Sequence, residues 1–138
     1  MSFTKRTRVF QTILKVRIQS NTEVTSSINK HLVNQIYFSA LPVSYSQIKP
    51  ILFETFARFI LKAAYEATLY SALRNMDKTG CNKLYLTLVG GGAFGNRIDC
   101  ILDAISIALS KFESTPLDVQ IVGFRGTNKG INEMLKNQ

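Results

Sequence analysis

The stretch Gly90-Gly91-Gly92-Ala93-Phe94-Gly95-Asn96 is where residue types and spacing in this chain can do chemistry. It follows the apolar run Leu84-Tyr85-Leu86-Thr87-Leu88-Val89 and precedes apolar residues at helical spacing. A strand that empties into a glycine-rich turn and then opens a helix leaves backbone N–H groups unpaired at the positive end of a helix dipole. Glycines remove the Cβ atoms that would keep a ligand away from those donors. The chemistry this suits is binding of an anion, most often the phosphates of a nucleotide.

Gly90, Gly92 and Gly95 also satisfy the spacing G-x-G-x-x-G between a strand and a helix, the context of a dinucleotide fingerprint. That fingerprint needs an acid about 20 positions on, at the end of the next strand. Glu113 has the spacing but falls before Pro116, ahead of that strand rather than at its end. No Lys-Ser/Thr pair follows the turn, which excludes a P-loop.

Other reactive side chains are sparse. His31 is the only histidine, and no G-x-S-x-G elbow accompanies it, so it is read as structural. No Cys/His/Asp cluster has metal-ligand spacing, and no cofactor is called for. Asp99 and Asp103 lie four apart on one helix face, where carboxylates complement the helix dipole or serve as acid and base. Tyr65 is read as a core residue, and Phe94 is balanced between core and ligand platform. Arg125, just past a strand end on the sheet edge that carries the turn, is a candidate phosphate partner.

The elements that must position these residues follow from periodicity. Val9 to Ile18 reads as a strand, Ser20 to Lys30 as a polar loop, and His31 to Leu41 as a second strand closed by Pro42. From Ile48 to Met76, Phe56, Phe59, Ile60, Ala63, Ala64, Ala67, Tyr70 and Leu73 recur at three- and four-residue steps, a helix with Pro50 in its first turn. The run 84–89 is a strand of the kind buried on both faces. Ile98 to Phe112 forms a further helix stopped by Pro116, Leu117 to Phe124 a strand, and Thr127 to Lys136 a short final helix. Alternating elements of these lengths predict an α/β, three-layer sandwich with a mostly parallel sheet.

With 138 residues, 46% hydrophobic and 19% charged, the chain reads as one globular domain, 1–138, whose residues 1–8 form a basic arm. No apolar stretch approaches the roughly 20 residues of a membrane span, and the N-terminus lacks the features of a secretory signal. Cys81 and Cys100 are read as two buried thiols in an intracellular, cytoplasmic protein. The formal charge of +8 favours an anionic partner: a nucleotide, poly(ADP-ribose), nucleic acid or an acidic protein.

A resemblance covers more of the chain than the turn alone. Gly90-Gly91-Gly92-Ala93-Phe94-Gly95, the apolar helix after it and Leu117-Asp118-Val119-Gln120-Ile121-Val122 resemble the second ligand loop of macrodomains and its surroundings. The turn is closer still to the Gly-Cys-Gly-Ala-Phe-Gly turn of poly(ADP-ribose) glycohydrolases. Upstream, His31–Leu41 looks like the central macrodomain strand, and Ala64-Tyr65-Glu66-Ala67-Thr68-Leu69 like the Ala-Tyr helix before the loop. Ser39-Ala40-Leu41-Pro42 and Tyr65-Glu66-Ala67-Thr68 are similar to uncharacterised macrodomain-like proteins. The resemblance spans residues 31–138.

It implies that the Gly90–Asn96 loop binds the diphosphate of ADP-ribose or a related nucleotide, with the backbone of Gly91, Gly92, Ala93, Phe94 and Gly95 holding the phosphates. Phe94 would then pack on ribose, and Asn96 would cap the following helix. Residues 1–40 contain no adenine-binding acid, no Asn- or Gly-rich first ligand loop and no glycine run with paired glutamates. The expectation is therefore a macrodomain-like fold lacking the N-terminal part, which binds without catalysis and self-associates through the Val9–Ile18 strand. Its catalytic residues are unknown. Two alternatives stay open: an ADP-ribosyl hydrolase completed by another subunit, and a non-binding basic scaffold that keeps the fold.

Overall fold

The computed structural model describes residues 14–26, 28–47 and 50–123. Strand β1 (Arg17–Glu23) pairs antiparallel with β2 (Leu32–Tyr37). A 3-10 turn (Val43–Tyr45) leads to helix α1 (Pro50–Thr79), then β3 (Lys83–Thr87), α2 (Ile98–Ser110) and β4 (Asp118–Val122). β3 and β4 run parallel, with Lys83 opposite Asp118 and Thr87 opposite Val122. The architecture is α/β with two small sheets, one antiparallel and one parallel.

Helix α1 carries the core. Its buried positions Ala57, Leu61, Ala64, Tyr65, Thr68, Leu69 and Ala72 recur at three- and four-residue steps, one stripe along 30 residues or about 45 Å of helix. Pro50 opens it because proline has no N–H to lose in a first turn. Gly80 closes it in the left-handed conformation (φ +74°), its N–H bonded to the Met76 carbonyl at 2.8 Å. α2 presents Ile101, Ala104, Ile105 and Ala108 to the same core, which also takes in Leu86 of β3. Each fully buried Leu or Ile side chain in this cluster contributes about 1.5–3 kcal/mol through water exclusion. Past the end of α2, Phe112 turns inward edge-on to Tyr70, ring centroids 4.8 Å apart.

Several boundaries differ from the sequence expectation. The first strand lies later: Ser20 to Glu23, read as loop, belongs to β1, and residues 14–16 are irregular. Both faces of β1 are largely exposed, so no alternating apolar signal marked it, and Asn21 (φ +56°) bulges the strand where the register shifts. The run at 84–89 is buried on one face only. Leu86 is enclosed, whereas Tyr85 is 56% exposed, because both described helices pack on the leucine side. Cys81 is exposed, against the expectation of two buried thiols. The expected final helix, the basic arm and residues 9–13 of the expected first strand lie outside the described residues. No helix among the described residues is long and apolar enough to cross a membrane.

Candidate functional site

The glycine turn leaves β3 and folds back on itself before α2 begins. Gly90 and Gly95 both take left-handed backbone angles, φ +85° and +69°. A Cβ at Gly90 would run into Ala40 and the Asn96 side chain, and one at Gly95 into Ser44. Those two glycines answer to packing: they let the turn lie against the chain that exits β2. The Ser44 N–H closes the contact with a 3.0 Å bond to the Phe94 carbonyl.

Gly92 is different. Nothing stands within 4 Å of where its Cβ would be, and its φ lies outside the left-handed range. Internal bonds occupy the N–H groups of Gly95 (to the Gly92 carbonyl, 2.9 Å) and Asn96 (to the Gly90 carbonyl, 3.0 Å), and loosely that of Gly91 (to Leu88, 3.4 Å). Among the described residues the N–H groups of Gly92, Ala93 and Phe94 meet no acceptor within the protein. Three consecutive donors thus ring a glycine that neither packing nor backbone strain requires. Phe94 itself is 36% exposed, so its ring is open to a partner.

Asn96 does not cap α2 as the sequence suggested. It is buried, and its Nδ2 donates to the carbonyls of Leu41 (2.8 Å) and Gly90 (3.2 Å). The amide reaches back into the turn, away from the helix start, as a second donor to two carbonyls that each already accept a main-chain N–H. Arg97 occupies the N-cap position without a side-chain cap. Its guanidinium instead grips Asp99 at 2.7 and 3.1 Å, and this pairing holds the Asp99 carboxyl below the usual carboxylate range.

Beneath the turn lies a small cavity of about 220 Å³, bordered by Val43, Asn96, Glu54, Arg58, Arg97 and Cys100. The Cys100 thiol donates to Glu54 at 3.3 Å. Burial, and then this carboxylate, push the thiol up to about 11, so it stays protonated and is no nucleophile near neutral pH. Glu54 also stands 3.9 Å from Arg97 and 3.8 Å from Arg58. Asp103, the other half of the spaced carboxylate pair, is held by Arg58 (3.7 Å) and Lys62 (3.4 Å) of α1. These carboxylates are engaged in joining helix to helix.

The turn is anchored from below by Tyr65, whose hydroxyl donates to the Thr87 carbonyl (2.7 Å) and accepts from the Val89 N–H (3.1 Å). Tyr65 is therefore more than core filling. The sequence singled out Gly90 to Asn96 as a unit, and the structure keeps them together. It missed Arg97, Glu54 and Ser44; of these only Arg97 carried a signal, a cation adjacent to the turn. Arg125 lies outside the described residues. His31 sits at the start of β2, where its carbonyl accepts from Val24. No group of three potential metal ligands occurs among the described residues. Comparison with protein-family models, with curated proteins and with solved structures finds no match.

Proposed function

We propose that this chain is a macrodomain-like module that binds the diphosphate of ADP-ribose, or of a related nucleotide, at the Gly90–Asn96 turn. The observation that carries the reading is the row of N–H groups from Gly92 to Phe94, open to solvent around a glycine with no structural need to be one. Consecutive free backbone donors attract phosphate oxygens, and a bare Cα lets them approach. Arg97 stands next to the turn, exposed but paired with Asp99, and the half-open Phe94 ring offers a surface for ribose.

The finer architecture of this reading is a three-layer sandwich around a mostly parallel sheet; the parallel β3–β4 pair flanking α2 supports it. Binding without turnover is preferred because Glu54, Asp99 and Asp103 are each committed to cationic neighbours. Calorimetry with ADP-ribose tests the proposal. Wild-type protein should give binding heat, and Gly92→Val, which fills the open space, should weaken affinity by at least about tenfold, or 1.4 kcal/mol. Phe94→Ala should weaken it less. No heat from the folded wild-type protein defeats the reading.

A further inference from the structure

The β1–β2 hairpin turns one face to α1 and the other to solvent. The Asn34 side chain donates to the Asn75 Oδ1 at 2.6 Å. Phe38, just past β2, packs edge-on to Tyr65 with ring centroids 5.5 Å apart. Both contacts reach α1, and both come from even positions. Side chains alternate along a strand, so Gln35 and Tyr37 point away from the helix. Pairing carries that alternation to β1, where Gln19 stands opposite Gln35 and Arg17 opposite Tyr37. The register shift falls after Gln19 and leaves these two pairs in place. All four residues are exposed, Tyr37 at 49%.

This outward face brings together groups of three kinds. Two carboxamides sit directly across from each other, each with donors and an acceptor. Beside them, the Tyr37 hydroxyl donates to the Gln35 Oε1. That bond, to a side chain two residues back on the same face, leans the ring along the strand and turns a flat side outward. Lys15 and Arg17 supply exposed positive charge on the β1 side, and among the described residues neither pairs with an acid. Glu23, the one acid in either strand, lies beyond the bulge and stands 3.9 Å from Lys30.

A flat aromatic side, amide donors and acceptors, and uncompensated cations match what a nucleic-acid strand presents. Bases stack on exposed rings, carboxamides bond base edges, and Arg and Lys hold phosphates. A duplex seated on a two-stranded ribbon would set a phosphate backbone along each flank. Here β2 carries no Lys or Arg, so positive charge lies on the β1 flank alone, which suits a single backbone. The chain's net charge of +8 adds long-range attraction.

We propose that the outward face of the β1–β2 hairpin binds single-stranded nucleic acid. One base stacks on Tyr37, the Gln35 and Gln19 amides bond base edges, and Arg17 takes a phosphate with Lys15 beside it. The two residue pairs span about 7 Å along the strands, so the contact is small and its affinity modest. The proposal is independent of ligand binding at the glycine turn.

An NMR titration of the isotope-labelled full chain with a single-stranded RNA octamer of mixed sequence tests it. The side-chain amide signals of Gln19 and Gln35 and the ring signals of Tyr37 should shift and saturate. Tyr37→Leu keeps apolar bulk without a ring and should weaken binding at least about fivefold, the loss of one stacked base. Tyr37→Phe keeps the ring and should bind within about twofold of wild type. Arg17→Gln should lower the slope of log affinity against log salt by about 0.7, one phosphate contact on a single strand. The substituted positions are exposed, and the amide spectrum of each variant verifies its fold. Hairpin signals that stay in place overturn the proposal. So do full binding by Tyr37→Leu and equal or tighter binding of the annealed duplex. A polyglutamate octamer that moves the same signals equally would reduce the site to charge alone and overturn it. Shifts confined to Gly92–Phe94 would assign the strand to the glycine turn and overturn it as well.

Discussion

Asn96 donates from its side chain to the carbonyl of Leu41, 55 positions earlier in the chain, at 2.8 Å. This bond fastens the glycine turn to the exit of β2, and the second bond from the same amide to Gly90 holds the turn's own curl. The turn is braced by these bonds and by the Ser44 N–H on the Phe94 carbonyl.

Asn96→Ala should therefore cost on the order of 1–2 kcal/mol, the worth of two partly buried hydrogen bonds. Asn96→Asp should cost more, because a carboxylate cannot donate and would face two carbonyls. Urea unfolding of the three proteins checks the ranking. Equal stability of wild type and Asp variant would remove the brace.

The glycines separate into two kinds. Gly95→Ala meets Ser44 and forces a side chain into left-handed backbone, at a cost of at least about 1 kcal/mol. Gly92→Ala enters open space and should change stability by less than about 0.5 kcal/mol. Thermal unfolding of both variants distinguishes them, and a large loss from Gly92→Ala would reveal a packing role.

Tyr65 gives a pH signature. Burial raises its hydroxyl from the ordinary 10 to about 12, and the bond from Val89 only partly offsets this. A folded-state value above the unfolded one means stability present in full below pH 10 and lost as pH climbs toward 12. The loss is on the order of 2–3 kcal/mol at the upper end, from about 1.4 kcal/mol per unit. Tyr65→Phe should be less stable near neutrality yet show a shallower decline across that window. Melting temperature against pH for both proteins reads it, and parallel curves would argue against the bridge.

The two thiols should react unequally. Cys81 is exposed, whereas Cys100 is 3% exposed and bonded to Glu54. A brief alkylation at neutral pH should label Cys81 alone, with Cys100 reached only on unfolding. Mass spectrometry of the labelled peptides reports the outcome, and early labelling of Cys100 would mean that the cavity under the turn opens readily.

What was legible in the sequence tracks how strongly water exclusion patterns each element. α1 and α2 bury a continuous stripe, so apolar residues at three- and four-residue steps located both to within a few positions. β1 buries almost nothing, and Ser20-Asn21-Thr22-Glu23 looks like loop because its place rests on pairing to β2 rather than on apolar burial. Leu84 to Val89 looked doubly buried since Tyr85 and Leu86 are both apolar by type, yet only the leucine meets a helix. At the site, the turn itself was visible as glycine spacing. The inward swing of Asn96 was not, because it depends on Leu41, which is brought near only by the fold.

The most direct test of the central claim is an NMR titration of the isotope-labelled chain with ADP-ribose. The amide signals of Gly92, Ala93 and Phe94, whose N–H groups are open, should shift strongly and saturate. Those of Gly95 and Asn96, already bonded within the turn, should move less. Signals of Gly92 to Phe94 that stay in place at millimolar ADP-ribose, in protein that remains folded, would contradict the account.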